Sequence, residues 1–418
     1  MIRRIKASLK FSPKDVRVVG EMLRSDEGVI YFQWDKEFIK HPLSISPLKL
    51  RNIPGPQTPT LRDSDLFDGL FGVFGDSLPD GWGLLMMSRA MRTSKIDFLS
   101  TSALDRLSFL GDRTMGALVY EPDTSSQISL DESIELSRLA SDIYKEFEGD
   151  AVDLLPELVT LGGSPGGARP KVLVGMDIES ANVKRPKIIS GIDYLPKGYE
   201  HWLIKFRGRQ DSAEDGLIEY IYSQTAIHVG IEMTECRLLE DSQGDLWFGT
   251  KRFDRGPNNS RLHSHTVAGL THANFRLPSI DYEDILKITA ILTKSEDCIL
   301  SAFRLAAFNV IFHNRDDHAK NFSFIMNPQG VWRFAPAYDL TFCAGPGGEH
   351  MTAVLGEGKH PTRKSLLDLA NKSHIKAKTA SEIVDQVESG IMFMKDLMVQ
   401  YQIKNSHLKG HLKSPHLG

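Results

Sequence analysis

The residues best able to do chemistry lie in one stretch, HNRDDHAKNFSF (313–324), followed by APAYDLTF (335–342). Asp316 and Asn321 stand five apart. In a D-x-x-x-x-N loop of this kind the carboxylate accepts the proton of an attacking hydroxyl, and the amide oxygen holds a divalent metal ion. A second carboxylate, Asp339, follows a hairpin-like stretch and adds another hard oxygen donor of the kind Mg²⁺ takes. Lys320 offers a point charge for a transferring phosphate. Asp317 is the rival base, but it stands only four from Asn321, so Asp316 is preferred. His313 and His318 lack a third nearby soft ligand for zinc. The plain alternative is a capped loop whose Asp, Asn and His satisfy local backbone groups. Asp339 on the far side of the hairpin weighs against it.

Phosphoryl transfer needs a cradle and a lysine upstream. LGGSPGGARPK (161–171) puts four glycines within six residues ahead of the strand-like KVLVG. Glycine lets successive backbone N–H groups turn toward phosphate oxygens. The pattern is neither Walker A nor G-x-G-x-x-G, and such a run is often only a turn. Ser164 places a hydroxyl in that loop, a candidate for self-phosphorylation. In HWLIKF (201–206), Trp202, Ile204 and Phe206 alternate with Leu203 and Lys205. A lysine in an otherwise apolar strand must find an anion or reach solvent, which makes Lys205 a phosphate-binding candidate. Lys171 competes for that role. Glu219, on a following helix, is either an ion-pair partner or a solvated carboxylate. KRFDR (251–255) then breaks at Gly256-Pro257, a hinge where an adenine could sit.

The elements that must position these residues follow from periodicity. SAFRLAAFNVIF (301–312) carries Phe303, Ala306, Ala307, Val310 and Ile311 at helical spacing, so the catalytic stretch leaves a buried helix. NFSFIM and VWRFAPAYDL read as a hairpin around NPQG. Upstream, VRVVGEML (16–23), GVIYFQW (28–34) and GALVYEP (116–122) read as strands, and 63–92 as helical around GDSLPDGWG. Residues 123–132 read as a linker before the helix SIELSRLASDIYKEFEG. A second helix spans GLIEYIYSQTAIHVG (216–230), and LWFGTKRF reads as a strand.

With 418 residues the chain has room for about two to three domains. Fifty Lys and Arg against 54 Asp and Glu give a net charge of −4, which excludes attachment to nucleic acid by bulk positive charge. The three cysteines, Cys236, Cys298 and Cys343, form no CxxC and fit a reducing cytoplasm. No apolar run approaches the roughly 18 residues of a membrane span, and the basic start lacks a signal-peptide core. There is no internal repeat.

Ser164-x-Gly-Gly-Ala-x-x-Lys171, WLIKF, KRFDR, DDHAKNFS and YDLT together resemble the HipA family of serine/threonine kinases, the toxins of HipBA-type toxin–antitoxin modules. FDGLFGVFGDSLPDGWG and GALVYEP resemble the N-terminal subdomain of its full-length members. The resemblance implies an α+β, two-lobed protein-kinase-like fold using ATP and Mg²⁺. It divides the chain into an N-terminal α+β subdomain (1–125), an N-lobe-like region with the phosphate loop (126–255), a mostly helical catalytic C-lobe (256–405) and a fraying tail (406–418). Asp316 would be catalytic, with Asn321 and Asp339 as metal ligands. Lys205 would bind phosphates, and His318, Ala319, Lys320 and Asn321 would line the nucleotide site. Gly166, Gly167, Ala168, Arg169, Pro170 and Lys171 would form the phosphate loop, and Lys251, Arg252 and Phe253 the adenine edge. Ser164 would be the autophosphorylated serine whose modification ejects the loop. The partners implied are a small helix-turn-helix antitoxin, DNA only through that antitoxin, and a translation-related substrate such as an aminoacyl-tRNA synthetase. Arg169-Pro170, Pro165 and Asp317 depart from the family pattern. Two other readings compete: a small-molecule or lipid kinase on the same scaffold, and a catalytically silent, antitoxin-bound co-repressor.

Overall fold

A computed structural model describes residues 2–124, 134–148, 167–180, 183–190, 194–208 and 211–412. Ser164, Gly166 and most of the expected linker lie outside the described residues. The chain forms two compact units.

The first unit comprises 1–212, 237–265 and 326–330. It opens with β1 (Arg4–Ser12), β2 (Asp15–Arg24) and β3 (Ile30–Trp34), joined later by β4 (Leu118–Glu121), in a four-stranded sheet ordered β3-β2-β1-β4. In β1, Ile5, Ala7, Leu9 and Phe11 alternate inward and are buried. Helices α1 (Gly81–Thr93) and α2 (Ala103–Leu110) follow β3. A five-stranded sheet then forms from β5 (Lys171–Asp177), β6 (Ile188–Ser190), β7 (Tyr199–Lys205), β8 (Cys236–Glu240) and β9 (Leu246–Lys251), in the order β6-β5-β7-β9-β8. Its inward Val172, Val174, Met176, Trp202 and Ile204 close a core with Leu139 and Ile143 of α3 (Leu136–Glu148) and Trp82 and Met86 of α1. The pleat that buries this face sets the register that places the candidate lysines.

The second unit comprises 213–236, 266–325 and 331–418 and is mostly helical. Its helices are α4 (Asp215–His228), α5 (Tyr282–Thr293), α6 (Glu296–Ile311), α7 (Arg363–Lys372) and α8 (Ala377–Gln400), with strands β10 (Ser323–Met326) and β11 (Trp332–Phe334) paired side by side. The side chain of Ser295 accepts from Cys298 N–H and starts α6, whose Phe303, Ala306, Ala307, Val310 and Ile311 are buried as their spacing requires. No helix among the described residues is long and apolar enough to cross a membrane.

Two expectations need correction. The helix expected at 216–230 within the second region groups instead with the helical unit. It packs so closely on α8 that a Cβ on Gly390 would lie 2.5 Å from Val229 Cγ1. Of the tail expected to fray (406–418), the described part forms a short helix, α9 (Ser406–His411), and 413–418 lie outside the described residues. Leu408 is fully buried, Asn405 accepts from Leu408 N–H at 2.9 Å, and the Glu214 carboxylate takes the N–H groups of Lys404 and Asn405 at 2.7 and 3.0 Å.

Candidate active site

In the helical unit, the loop leaving α6 is built on a buried polar chain. Asn314 Nδ2 donates to Asn309 Oδ1 at 3.0 Å, Asn309 Nδ2 donates to Tyr282 Oη at 2.9 Å, and Tyr282 donates to Asp317 Oδ2 at 2.6 Å. Burial, with the Asp317 carboxylate beside it, holds the Tyr282 hydroxyl well above its ordinary pKa, so it remains a donor. Asp317 also accepts from His350 Nδ1 at 2.8 Å and from the N–H groups of Met351 and Thr352 at 2.8 and 3.2 Å. Arg315 binds the carbonyls of Gly348 and Lys359 at 2.7 and 2.9 Å. These bonds fasten the loop to segment 344–359.

Asp317, the rival base, is thus fully buried and surrounded by donors, whereas its neighbour Asp316 is exposed. Asn321 Nδ2 donates to the Asp316 carbonyl at 2.7 Å, and its backbone N–H donates to His318 O at 2.8 Å. That orientation leaves Asn321 Oδ1 without a hydrogen bond among the described residues, a hard oxygen available to a cation. His318 Nδ1 accepts from Lys320 N–H at 3.2 Å, Ala319 is buried beneath the turn, and Lys320 Nζ lies 4.0 Å from the Phe275 ring centroid. Tyr338 Oη donates to Lys320 O at 2.7 Å and meets Ser323 Oγ at 2.6 Å, tying the residue before Asp339 to the stretch that carries Asp316 and Asn321. Asp339 itself has φ +53°, a left-handed backbone that a non-glycine residue rarely adopts.

In the sheet unit, Lys171 and Lys205 are cross-strand partners, and so share one face of the sheet. Lys171 is buried and Lys205 half-buried, its Nζ 5.6 Å from the Phe248 ring centroid. Two ammonium groups on neighbouring strands of one face concentrate positive charge there, which suits a phosphate. Ahead of β5, Gly167 has φ +97°, Ala168 is exposed, Arg169 pairs with Asp211 at 3.1 Å, and Pro170 O accepts from Phe206 N–H at 2.8 Å.

Within KRFDR the side chains divide. Lys251 pairs with Glu200 at 2.5 Å, and Phe253 is half-buried. Arg252 is buried and donates to both oxygens of Asp254, at 2.9 and 2.7 Å. Asp254 accepts further from Arg255 at 2.7 Å and from Gly116 N–H at 2.6 Å. Burial pushes the Asp254 carboxyl up, but the two guanidinium groups more than reverse that and hold it well below the usual carboxylate range. His201, beside them, is lowered to about 4 by burial and by Arg252 and Arg255. The Arg252 side chain therefore belongs to a structural ion cluster, which leaves only its backbone to face a nucleotide. Glu219, for which an ion pair and a solvated helix face were both open, is buried, so the solvated alternative falls. The scaffolding roles of Asp317 and Asp254 were missed because the sequence shows their charge but not their burial.

The family model of the HipA N-terminal domain matches residues 14–121, and that of the HipA-like C-terminal domain matches residues 163–392, more than half of the chain. Among solved structures, the HipA chain of the Shewanella oneidensis MR-1 toxin–antitoxin complex with HipB and operator DNA is 15% identical. The match covers 97% of this chain and 94% of that one with a TM-score of 0.68, which shows a shared fold. The Helicobacter pylori proinflammatory kinase CtkA is 13% identical over 53% of this chain and 96% of its own, with a TM-score of 0.33, too low to show one. The chain belongs to the HipA family.

Proposed function

We propose that the protein is an ATP- and Mg²⁺-dependent serine/threonine protein kinase, the toxin of a HipBA-type module. The observation that carries this reading is the contrast at Asp316-Asp317: one carboxylate is locked inside the loop, and the next is held out to solvent with Asn321 clamped beneath it. Asp316 accepts the proton of the attacking hydroxyl as the hydroxyl oxygen bonds to the γ-phosphorus of ATP and the bond from that phosphorus to the β–γ bridging oxygen breaks, releasing ADP. Asn321 Oδ1 and the Asp339 carboxylate are hard oxygens in the number that Mg²⁺ asks of a protein, and they would hold it. When bound, the ion neutralises charge on the phosphate oxygens. Lys171 and Lys205 take nucleotide phosphates, and Lys320 holds the phosphoryl group in transfer as a point charge. Lys251 and Phe253 border the adenine. The Shewanella protein was solved with HipB and DNA. By analogy a small helix-turn-helix antitoxin holds this chain and makes the DNA contacts, and the substrate is a translation-related protein such as an aminoacyl-tRNA synthetase.

The test is incubation of purified protein with Mg²⁺ and γ-labelled ATP, beside Asp316→Asn, with phosphosite mapping and intact mass. Label at Ser164 in the wild type and none in the variant is the expected result. No label on protein whose mass shows no prior phosphate would overturn the kinase reading.

A further inference from the structure

Helix α1 begins in an unusual way. Asp80 has the extended backbone of an N-cap residue, yet its carboxylate makes no capping bond to its own helix. Instead it accepts the N–H of Gly167, 87 residues away at the end of the glycine-rich run. Trp82 N–H, one of the donors a helix start leaves unpaired, goes to Gly167 O at 3.0 Å. Between these two bonds sits Gly81, with φ +47°. A Cβ there would lie 2.5 Å from Gly167 O and 2.8 Å from Ala168 Cα, so no side chain fits. On the other side, a Cβ on Gly167 would lie 2.6 Å from Lys171 Nζ. The clamp is anchored by Trp82, whose ring is buried with Val172, Val174, Trp202 and Ile204 under the same sheet that carries Lys171 and Lys205.

We propose that Asp80 and Gly81 are positioning residues for phosphate binding: the N-terminal subdomain grips both backbone groups of Gly167 and so fixes the Gly167–Lys171 turn and the Lys171 ammonium in the shape that receives nucleotide phosphates. This rests on the reading of Gly167–Lys171 as a phosphate loop. It assigns the N-terminal subdomain a part in nucleotide affinity although it carries none of the residues that touch the nucleotide.

The test compares Asp80→Ala, Gly81→Ala and Asp80→Asn with the wild-type full-length chain. It measures affinity for Mg²⁺·ATP and for adenosine, hydrogen exchange of the Gly167–Lys171 amides, and thermal unfolding. Asp80→Ala is expected to weaken ATP about tenfold, the loss of one charge-assisted hydrogen bond, with adenosine affinity and unfolding temperature near wild type and faster exchange at Gly167. Gly81→Ala should act in the same direction. Asp80→Asn keeps an acceptor oxygen and should restore most of the ATP affinity. Unchanged or tighter ATP binding in Asp80→Ala would overturn the proposal, as would equal losses for ATP and adenosine. Absence of Mg²⁺·ATP binding by the wild type would overturn the phosphate-loop reading and the proposal with it. The exchange data separate that failure from a failure of the clamp.

Discussion

Two charged stretches, KRFDR at 251–255 and NRDDHAKN at 314–321, look alike in composition, and the structure puts them to opposite uses. In the first, Arg252, Asp254 and Arg255 turn inward, pair with one another and bind the backbone of Thr114 and Gly116. In the second, Asp317 and Arg315 turn inward and anchor the loop, and the anchoring holds Asp316 outward. Charge density therefore does not mark a site. An exposed charge on an immobilised backbone is the better candidate, because such a group is both placed and open to solvent.

The comparison breaks most sharply at the two carboxylates it contrasts. Asp316→Asn should lower phosphoryl transfer by about 10²- to 10⁴-fold, the range for a lost general base, with stability unchanged within about 0.5 kcal/mol. Initial rates with labelled ATP and a urea melt read the two effects. Asp254→Ala should do the reverse. It leaves two buried guanidinium groups without their counter-charge, a loss of about 3–5 kcal/mol in unfolding free energy, read from the urea melt. If Asp254→Ala folds as well as wild type, the cluster is not the anchor described.

The same cluster carries a pH signature. His201 is lowered to about 4 from 6.5, so between those values the unfolded chain binds a proton that the folded chain refuses. Stability is accordingly full above pH 6.5 and declines as pH falls toward 4, by up to about 3 kcal/mol for this group. His201→Asn should flatten that part of the stability–pH profile measured by chemical denaturation, and a profile of unchanged slope would locate the proton uptake elsewhere. Asp317→Asn should be milder, about 2 kcal/mol, since the amide keeps the volume but replaces an acceptor of four hydrogen bonds with a group that accepts fewer.

Much of this was legible in the sequence, and the limits are instructive. Helical spacing placed α6 and, with it, the loop that carries Asp316; alternation placed β7 and Lys205. Strand β1 was passed over as a basic start, although Ile5, Ala7, Leu9 and Phe11 alternate within it. Lys171 and Lys205 looked like rivals because register between strands 34 residues apart is a tertiary fact, and pairing makes them partners. Asp80 gave no signal at all. Its function depends on a backbone N–H 87 residues away, and its own neighbourhood reads as an ordinary helix start.

The smallest expected effect separates neighbours inside KRFDR. Lys251 and Glu200 form an ion pair at 2.5 Å, but their side chains keep 34% and 29% exposure. Water already screens both charges, and the long lysine side chain loses rotamer freedom to hold the pair. Lys251→Ala should therefore change stability by less than about 1 kcal/mol. One residue on, the Arg252 side chain is 4% exposed and makes two bonds to a fully buried carboxylate. Its removal takes two charge-assisted hydrogen bonds from a buried carboxylate that keeps Arg255, and Arg252→Ala should cost about 2 kcal/mol or more. Urea melts of the two variants, run at two salt concentrations, sharpen the contrast further. Screening by salt should narrow the small Lys251 effect and leave the Arg252 effect in place, since ions cannot enter a buried pair. Equal losses would mean that position along the chain, rather than burial, sets the value of a charge here, and the distinction between the two stretches would go with it.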